Sequence, residues 1–146
     1  MTSTPCAPTG SPTGATVLLA DTSAWIDYLK ATSSRQGLRL RQAISERDVV
    51  VVDPVLLEVM AGARRDAVAR TRRLLEAQRL EPVAPKRDWL DAATIYRQLR
   101  WRGVTIRSQI DALIAAVAIR LDLPVLHRDR DYPQIAQHTG LRLVEV

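Results

Sequence analysis

The sequence predicts an α/β fold, with one mainly parallel sheet and helices on both faces. Three observations predict it. The runs Val17–Ala20, Val49–Val52 and Pro124–His127 are short and apolar, as buried strands are, and Val49–Val52 is wholly β-branched. Between them the apolar spacing shifts to the helical period, so strands and helices alternate. Each run is followed by an acid, or by a helix that carries one, at the end of the sheet where open α/β folds hold their sites.

The elements follow in order. Residues 1–16 are almost entirely Thr, Ser, Pro, Gly and Ala, which predicts a flexible N-terminal tail containing Cys6. The domain then spans residues 17–146. The strand Val17–Ala20 leads into Asp21-Thr-Ser, which opens a short helix from Ala24 to Lys30. A helix from Arg35 to Glu46 follows, with Leu40, Ala43 and Ile44 on one face. After Val49–Val52, Asp53 and Pro54 read as N-cap and first turn of a helix that ends near Gly62. Arg64–Arg79 reads as an Arg-rich helix with Val68, Thr71 and Leu75 inward, and Glu81–Val83 as a short strand. Lys86–Arg102 is an amphipathic helix with Trp89, Ala92, Ala93, Tyr96 and Leu99 in register, stopped by Gly103. Ser108 caps the next helix, a loop and short helix cover Asp129–Gln137, and Leu141–Val144 reads as a last strand.

Composition limits the function. A chain of 146 residues can build one domain with a full core, and 47% hydrophobic content excludes general disorder. With no Phe, that core must come from Val, Leu, Ile, Ala and Trp. No apolar run approaches the roughly 18 residues of a membrane helix, and the N-terminus lacks a secretory pattern. The expected compartment is therefore the cytoplasm. One cysteine excludes an internal disulfide and a Cys-rich zinc site. His127 and His138 lack zinc spacing, no Gly-rich phosphate loop is present, and no Ser or Cys stands with a partnered His. Of 21 basic residues, all but Lys30 and Lys86 are Arg, whose planar fork suits phosphate. Codon usage in a GC-rich genome accounts for the same bias equally well.

The acids carry the chemistry. Asp111 is the sole charge between Ile110 and Ile119, in an apolar helix. A lone buried carboxylate costs several kcal/mol unless a cation joins it. Asp21, Glu58, Asp129 and Asp131 are predicted at the same end of the sheet. Two carboxylates about 4 Å apart repel by ~4 kcal/mol at an effective dielectric of ~20. They must protonate, pair with Arg or bind a cation, and an all-oxygen set suits Mg²⁺ or Mn²⁺. Plainer roles compete: Asp21 and Asp53 as caps, Glu58 as a surface acid, Asp111 as a capping-box acid or partner of Arg107, and one of Asp129 and Asp131 as a turn residue. Individually the signals are weak; their joint placement is strong.

Four stretches resemble the motifs of PIN-domain ribonucleases, and more narrowly of VapC-type toxins. They are Leu19–Tyr28, Leu57–Gly62, Arg107–Ala116 and Val125–Tyr132, in order and suitably spaced from Val17 onward. The resemblance implies a PIN-like three-layer α/β/α fold and Mg²⁺- or Mn²⁺-dependent cleavage of RNA to a 5′-phosphate and a 3′-hydroxyl. It further implies a homodimer and inhibition by a VapB-type antitoxin. Asp21, Asp111 and Asp129 match the metal-holding acids, with Asp131 a further candidate beside Tyr132. Glu58 matches the acid that helps orient water or a second ion. Thr22 and Ser23 match the hydroxyls after the first acid, and Ser108 the one before the third. The tail departs from the pattern, since members begin almost at the first strand, and it points to an internal start codon. Arg97, Arg100, Arg102 and Arg107, near Tyr96 and Trp101, are candidate RNA contacts, although a solvated helix face is the plainer reading. Two other functions fit less of the sequence: a metal-dependent phosphatase, and a catalytically silent RNA- or partner-binding module.

Overall fold

The structure, a computed structural model, describes residues 16–146. The expected tail therefore lies outside the described residues up to residue 15, and Cys6 with it. Four strands, β1 (Leu18–Ala20), β2 (Val49–Val52), β3 (Arg79–Glu81) and β4 (Val125–Leu126), form one sheet in the order β3-β2-β1-β4. All three pairings are parallel, with Leu18 opposite Val49, Leu19 opposite Val125 and Val50 opposite Arg79. Parallel neighbours need crossovers, and helices supply them. These are α1 (Thr22–Leu29), α2 (Arg35–Ser45), α3 (Asp53–Ala61), α4 (Val68–Glu76, after a 3-10 turn at Arg65–Ala67), α5 (Arg87–Trp101), α6 (Gln109–Leu121) and α7 (Asp131–His138).

This order places the site. From β1 the chain winds to β2 and β3 on one side, then crosses to β4 on the other. The switch in direction opens a crevice at the carboxyl ends of β1 and β4. Leu18, Leu19, Ala20, Val125 and Leu126 are fully buried, so both strand ends are held by the core. The apolar face of α6, Ala112 through Ala118, is buried too, and it carries Asp111 toward the same crevice.

Local chemistry sets several ends. The Asp21 side chain caps α1 by accepting from Ala24 N at 3.0 Å, so that helix begins at Thr22 rather than at Ala24. Ser34 and Ser108 cap α2 and α6 in the same way. Asp122, at φ 56°, ends α6 in the left-handed conformation that Asn and Asp tolerate.

The structure corrects six expectations. Asp53 is the first helical residue of α3, not its cap, and its carboxylate accepts from Val83 N at 3.0 Å instead. The helix expected over Arg64–Arg79 is confined to Val68–Glu76, and the strand lies at Arg79–Glu81, not Glu81–Val83, because pairing with β2 overrides helix propensity there. Val68 is exposed. The inner face of α5 is turned: Asp88, Ala92, Ile95 and Leu99 are buried, while Trp89 is 57% exposed. Asp88 takes the inner place because Arg120 of α6 holds it with bonds of 2.9–3.1 Å, making a polar residue fit an apolar seam. The last expected strand is reduced to a single parallel bridge, Leu143 against Val125.

Candidate metal centre

Asp21 follows β1 and is 3% exposed. Its Oδ1 accepts from Ser23 Oγ at 2.7 Å and from Ala24 N at 3.0 Å, so one oxygen serves the helix cap and the other is left to the crevice. Ser23 Oγ also accepts from Arg128 N at 2.8 Å, which ties the end of β1 to the loop after β4. Arg128 is anchored in turn by Asp27 at 2.9 Å, a buried acid that also receives Ser34 Oγ. Thr22 Oγ1 donates to Glu58 Oε1, drawing α3 toward the start of α1.

Asp111 stands at the third position of α6, and its carboxylate accepts from Tyr132 Oη at 3.4 Å. Ser108 Oγ accepts from Ile110 N, so Ser108 acts here as the helix cap. Asp129 Oδ1 accepts from Asp131 N at 2.9 Å and from Arg107 Nη2 at 2.9 Å. Asp131, 2% exposed, receives Arg107 N at 2.8 Å. One oxygen each of Asp111, Asp129 and Asp131 lies within 4.8 Å of the others.

The electrostatics agree with this grouping. Burial pushes the Asp111 carboxyl up from 3.8 to about 7, and the charges of Asp129, Asp21, Asp131 and Glu58 push the same way. Burial raises Asp21 to about 6, against the bonds from Ser23 and Ala24 and with the charge of Asp129. Tyr132 is raised by burial and by the same acids, so it stays a neutral donor. These carboxylates repel one another in a desolvated crevice, and a cation relieves both costs. The donor set is all oxygen and acidic, which fits Mg²⁺ or Mn²⁺.

All five predicted acids are thus in one electrostatic neighbourhood, and Thr22 and Ser23 are bonded to it. The triad with the closest oxygens contains Asp131 in place of Asp21, whose link to the group is the mutual charge effect with Asp111 and Asp129. The predicted RNA-contact arginines are divided. Arg107 sits on the acids, Arg97 lies over Trp101 at 5.3 Å, Arg100 lies over Tyr96 at 5.8 Å, and Arg102 meets His138 Nδ1 at 2.9 Å. Tyr132, Arg128 and Asp27 were not identified from sequence as part of this network. The aromatic beside Asp131 was the only visible signal, because contacts across a hundred residues leave no local pattern. His127 is a supporting residue: its Nδ1 accepts from Asp129 N, and its ring packs 5.2 Å from Tyr132.

Residues 18–137 match the PIN domain family model. The chain belongs to the PIN-domain family. This PIN domain is 38% identical over 129 residues to the VapC ribonuclease Mb1587 of Mycobacterium bovis, across 86% of this chain and 96% of the relative. The same figures hold for Ribonuclease VapC11 of Mycobacterium tuberculosis, so the PIN domain is of the VapC kind. The fold is also that of the DNA-bound VapBC structure from Salmonella typhimurium, with a TM-score of 0.68 at 17% identity over 89% of this chain and 98% of that one. Mycobacterium tuberculosis VapC20, described as a toxin that cleaves the sarcin-ricin loop, matches with a TM-score of 0.59 at 22% identity, covering 88% and 98%.

Proposed function

We propose that this PIN domain is a metal-dependent endoribonuclease, the toxin of a VapBC-type toxin–antitoxin pair. The ribonuclease names of its 38% identical relatives support the activity. The observation that carries the metal dependence is the gathering of one oxygen each of Asp111, Asp129 and Asp131 within 4.8 Å, with Asp21 in the same field and two carboxyls raised to about 6 and about 7. Asp21, Asp111 and Asp129 are the residues we assign to hold Mg²⁺ or Mn²⁺. When bound, the ion supplies a Lewis acid and an activated water for in-line attack on a phosphodiester.

The chain's own residues do the rest. Ser23 and the Ala24 N–H orient Asp21 through one oxygen. Tyr132 Oη orients Asp111. Glu58, held through Oε1 by Thr22, keeps Oε2 to orient a water and accept its proton. Arg97 over exposed Trp101 and Arg100 over half-buried Tyr96 are assigned to contact RNA backbone and bases, with Arg102 beside them.

A VapB-type antitoxin is the proposed inhibitor. A groove of about 630 Å³ borders Glu58 and is lined by Ile26, Leu29, Arg41, Val59 and Leu74, which suits an amphipathic segment. A homodimer is proposed on family grounds, with Trp89, Leu90 and Trp101 of α5 at least half exposed. No helix among the described residues is long and apolar enough to cross a membrane.

The test uses the chain purified away from any antitoxin, with Mn²⁺ and RNA. Cleavage by the parent should fall at least about 100-fold in Asp21→Asn and in Asp111→Asn. Equal cleavage by parent and variants would mean a contaminating nuclease. Activity on a small phosphate ester but not on RNA would make the protein a phosphatase.

A further inference from the structure

We propose that Arg107 is a built-in cation of the acid cluster, standing where a second divalent ion would sit, so that the site takes one ion. The inference rests on the metal-binding reading above and concerns its stoichiometry. Arg107 immediately precedes the cap of α6, and its backbone N donates to Asp131 Oδ2 at 2.8 Å. Its side chain returns to the same acids. Nη2 reaches Asp129 Oδ1 at 2.9 Å and Nε lies 3.5 Å from Asp131 Oδ2. The guanidinium therefore bridges two carboxylates, one of them only 2% exposed.

The cluster is divided as a result. Asp129 Oδ1 is committed to Arg107 and to Asp131 N, which leaves its Oδ2 for an ion; an oxygen of Asp111 lies within 4.8 Å of one of Asp129, and Asp21 adds its charge to the same field. Among the described residues, Asp21 is bonded by Ser23 and Ala24, and Asp111 by Tyr132; neither meets an arginine. One half of the site is neutralised from within, and the other half needs a cation. An ion on Asp129 Oδ1 and Asp131 Oδ2 would lie about 2 Å from oxygens that the guanidinium already contacts. The guanidinium nitrogens lie 2.9 and 3.5 Å from those oxygens, so the two cations would stand within about 5 Å of each other and repel. The backbone bond to buried Asp131 holds the loop against such a displacement. Because 60% of the Arg107 side chain is exposed, the same guanidinium retains donors for a phosphate oxygen of the substrate.

The experiment counts Mn²⁺ ions per full-length chain, by calorimetry and by the electron paramagnetic resonance of bound and free Mn²⁺. The parent should bind one ion. Arg107→Gln should bind two, with the spin coupling of neighbouring ions. Arg107→Lys, which keeps the charge, should bind one. Two ions in the parent overturn the proposal even if no variant folds, and so does a single ion in a folded Arg107→Gln. A parent that binds none removes the metal reading itself, and this inference with it.

Discussion

Replacing Asp111 by Asn should disable the site yet make the metal-free protein more stable at alkaline pH. Asp111 lies against Tyr132 Oη, within the field of Asp129, Asp21, Asp131 and Glu58. Its carboxyl is raised from 3.8 to about 7, first by burial and then by those charges. The folded state therefore binds this proton more tightly than the unfolded state. The associated stability is fully present below about pH 4 and is lost as pH rises toward 7. A shift of about three units corresponds to roughly 4 kcal/mol. Partial exposure and coupling to Asp21 reduce the realised cost to about 2 kcal/mol. Asn keeps the acceptor for Tyr132 and carries no charge, so it removes that cost. Chemical denaturation in EDTA at pH 5 and pH 8 reads the effect: at pH 8 the variant should exceed the parent by about 2 kcal/mol, or roughly 6–8 °C in Tm. At pH 5 the gap should shrink. Added Mn²⁺ should reverse the order, because it stabilises only the form that binds it, by about 2.7 kcal/mol at ~100 times Kd. A variant no more stable than the parent at pH 8, with the same pH dependence, would show that Asp111 does not lie in a repulsive crevice.

The other predictions concern the supports. Arg120→Ala should leave fully buried Asp88 without its cation and cost about 3 kcal/mol in urea unfolding at pH 7. Burial tends to raise Asp88, but the Arg120 bonds and Ala84 N–H hold it below 3.8. That pair's contribution is present above about pH 4 and lost as pH falls below it, so the variant should also be less sensitive to acid than the parent. Ser23→Ala removes the bridge between Asp21 and Arg128 N and should weaken Mn²⁺ binding about 10-fold with little change in Tm. An unchanged Mn²⁺ affinity would mean that the Ala24 N–H alone orients Asp21.

Much of the fold was legible from local pattern. Four consecutive valines and the apolar run before Asp21 behave as interior strands because both of their faces are buried. The alternation of strands and helices implied a parallel sheet, and its carboxyl end implied the position of the acids. Asp111 betrayed itself because it is the sole charge between Ile110 and Ile119. The errors fall where long-range contacts outweigh local propensity. The Arg79 edge became a strand because β2 pairs with it. Trp89 looked like a core residue, but Asp88 holds the inner place because Arg120, thirty-two residues away, pairs with it.

The sequence by itself determined which residues could bind a hard cation and that they would gather at one end of a sheet. Side-chain chemistry and hydrophobic period are properties of neighbours along the chain. Only the tertiary structure decided how the acids divide, with Asp129 and Asp131 under Arg107, and with Asp21 and Asp111 desolvated and, among the described residues, joined to no arginine. That division depends on distances of a few ångströms between segments as much as a hundred residues apart, and no local pattern encodes them.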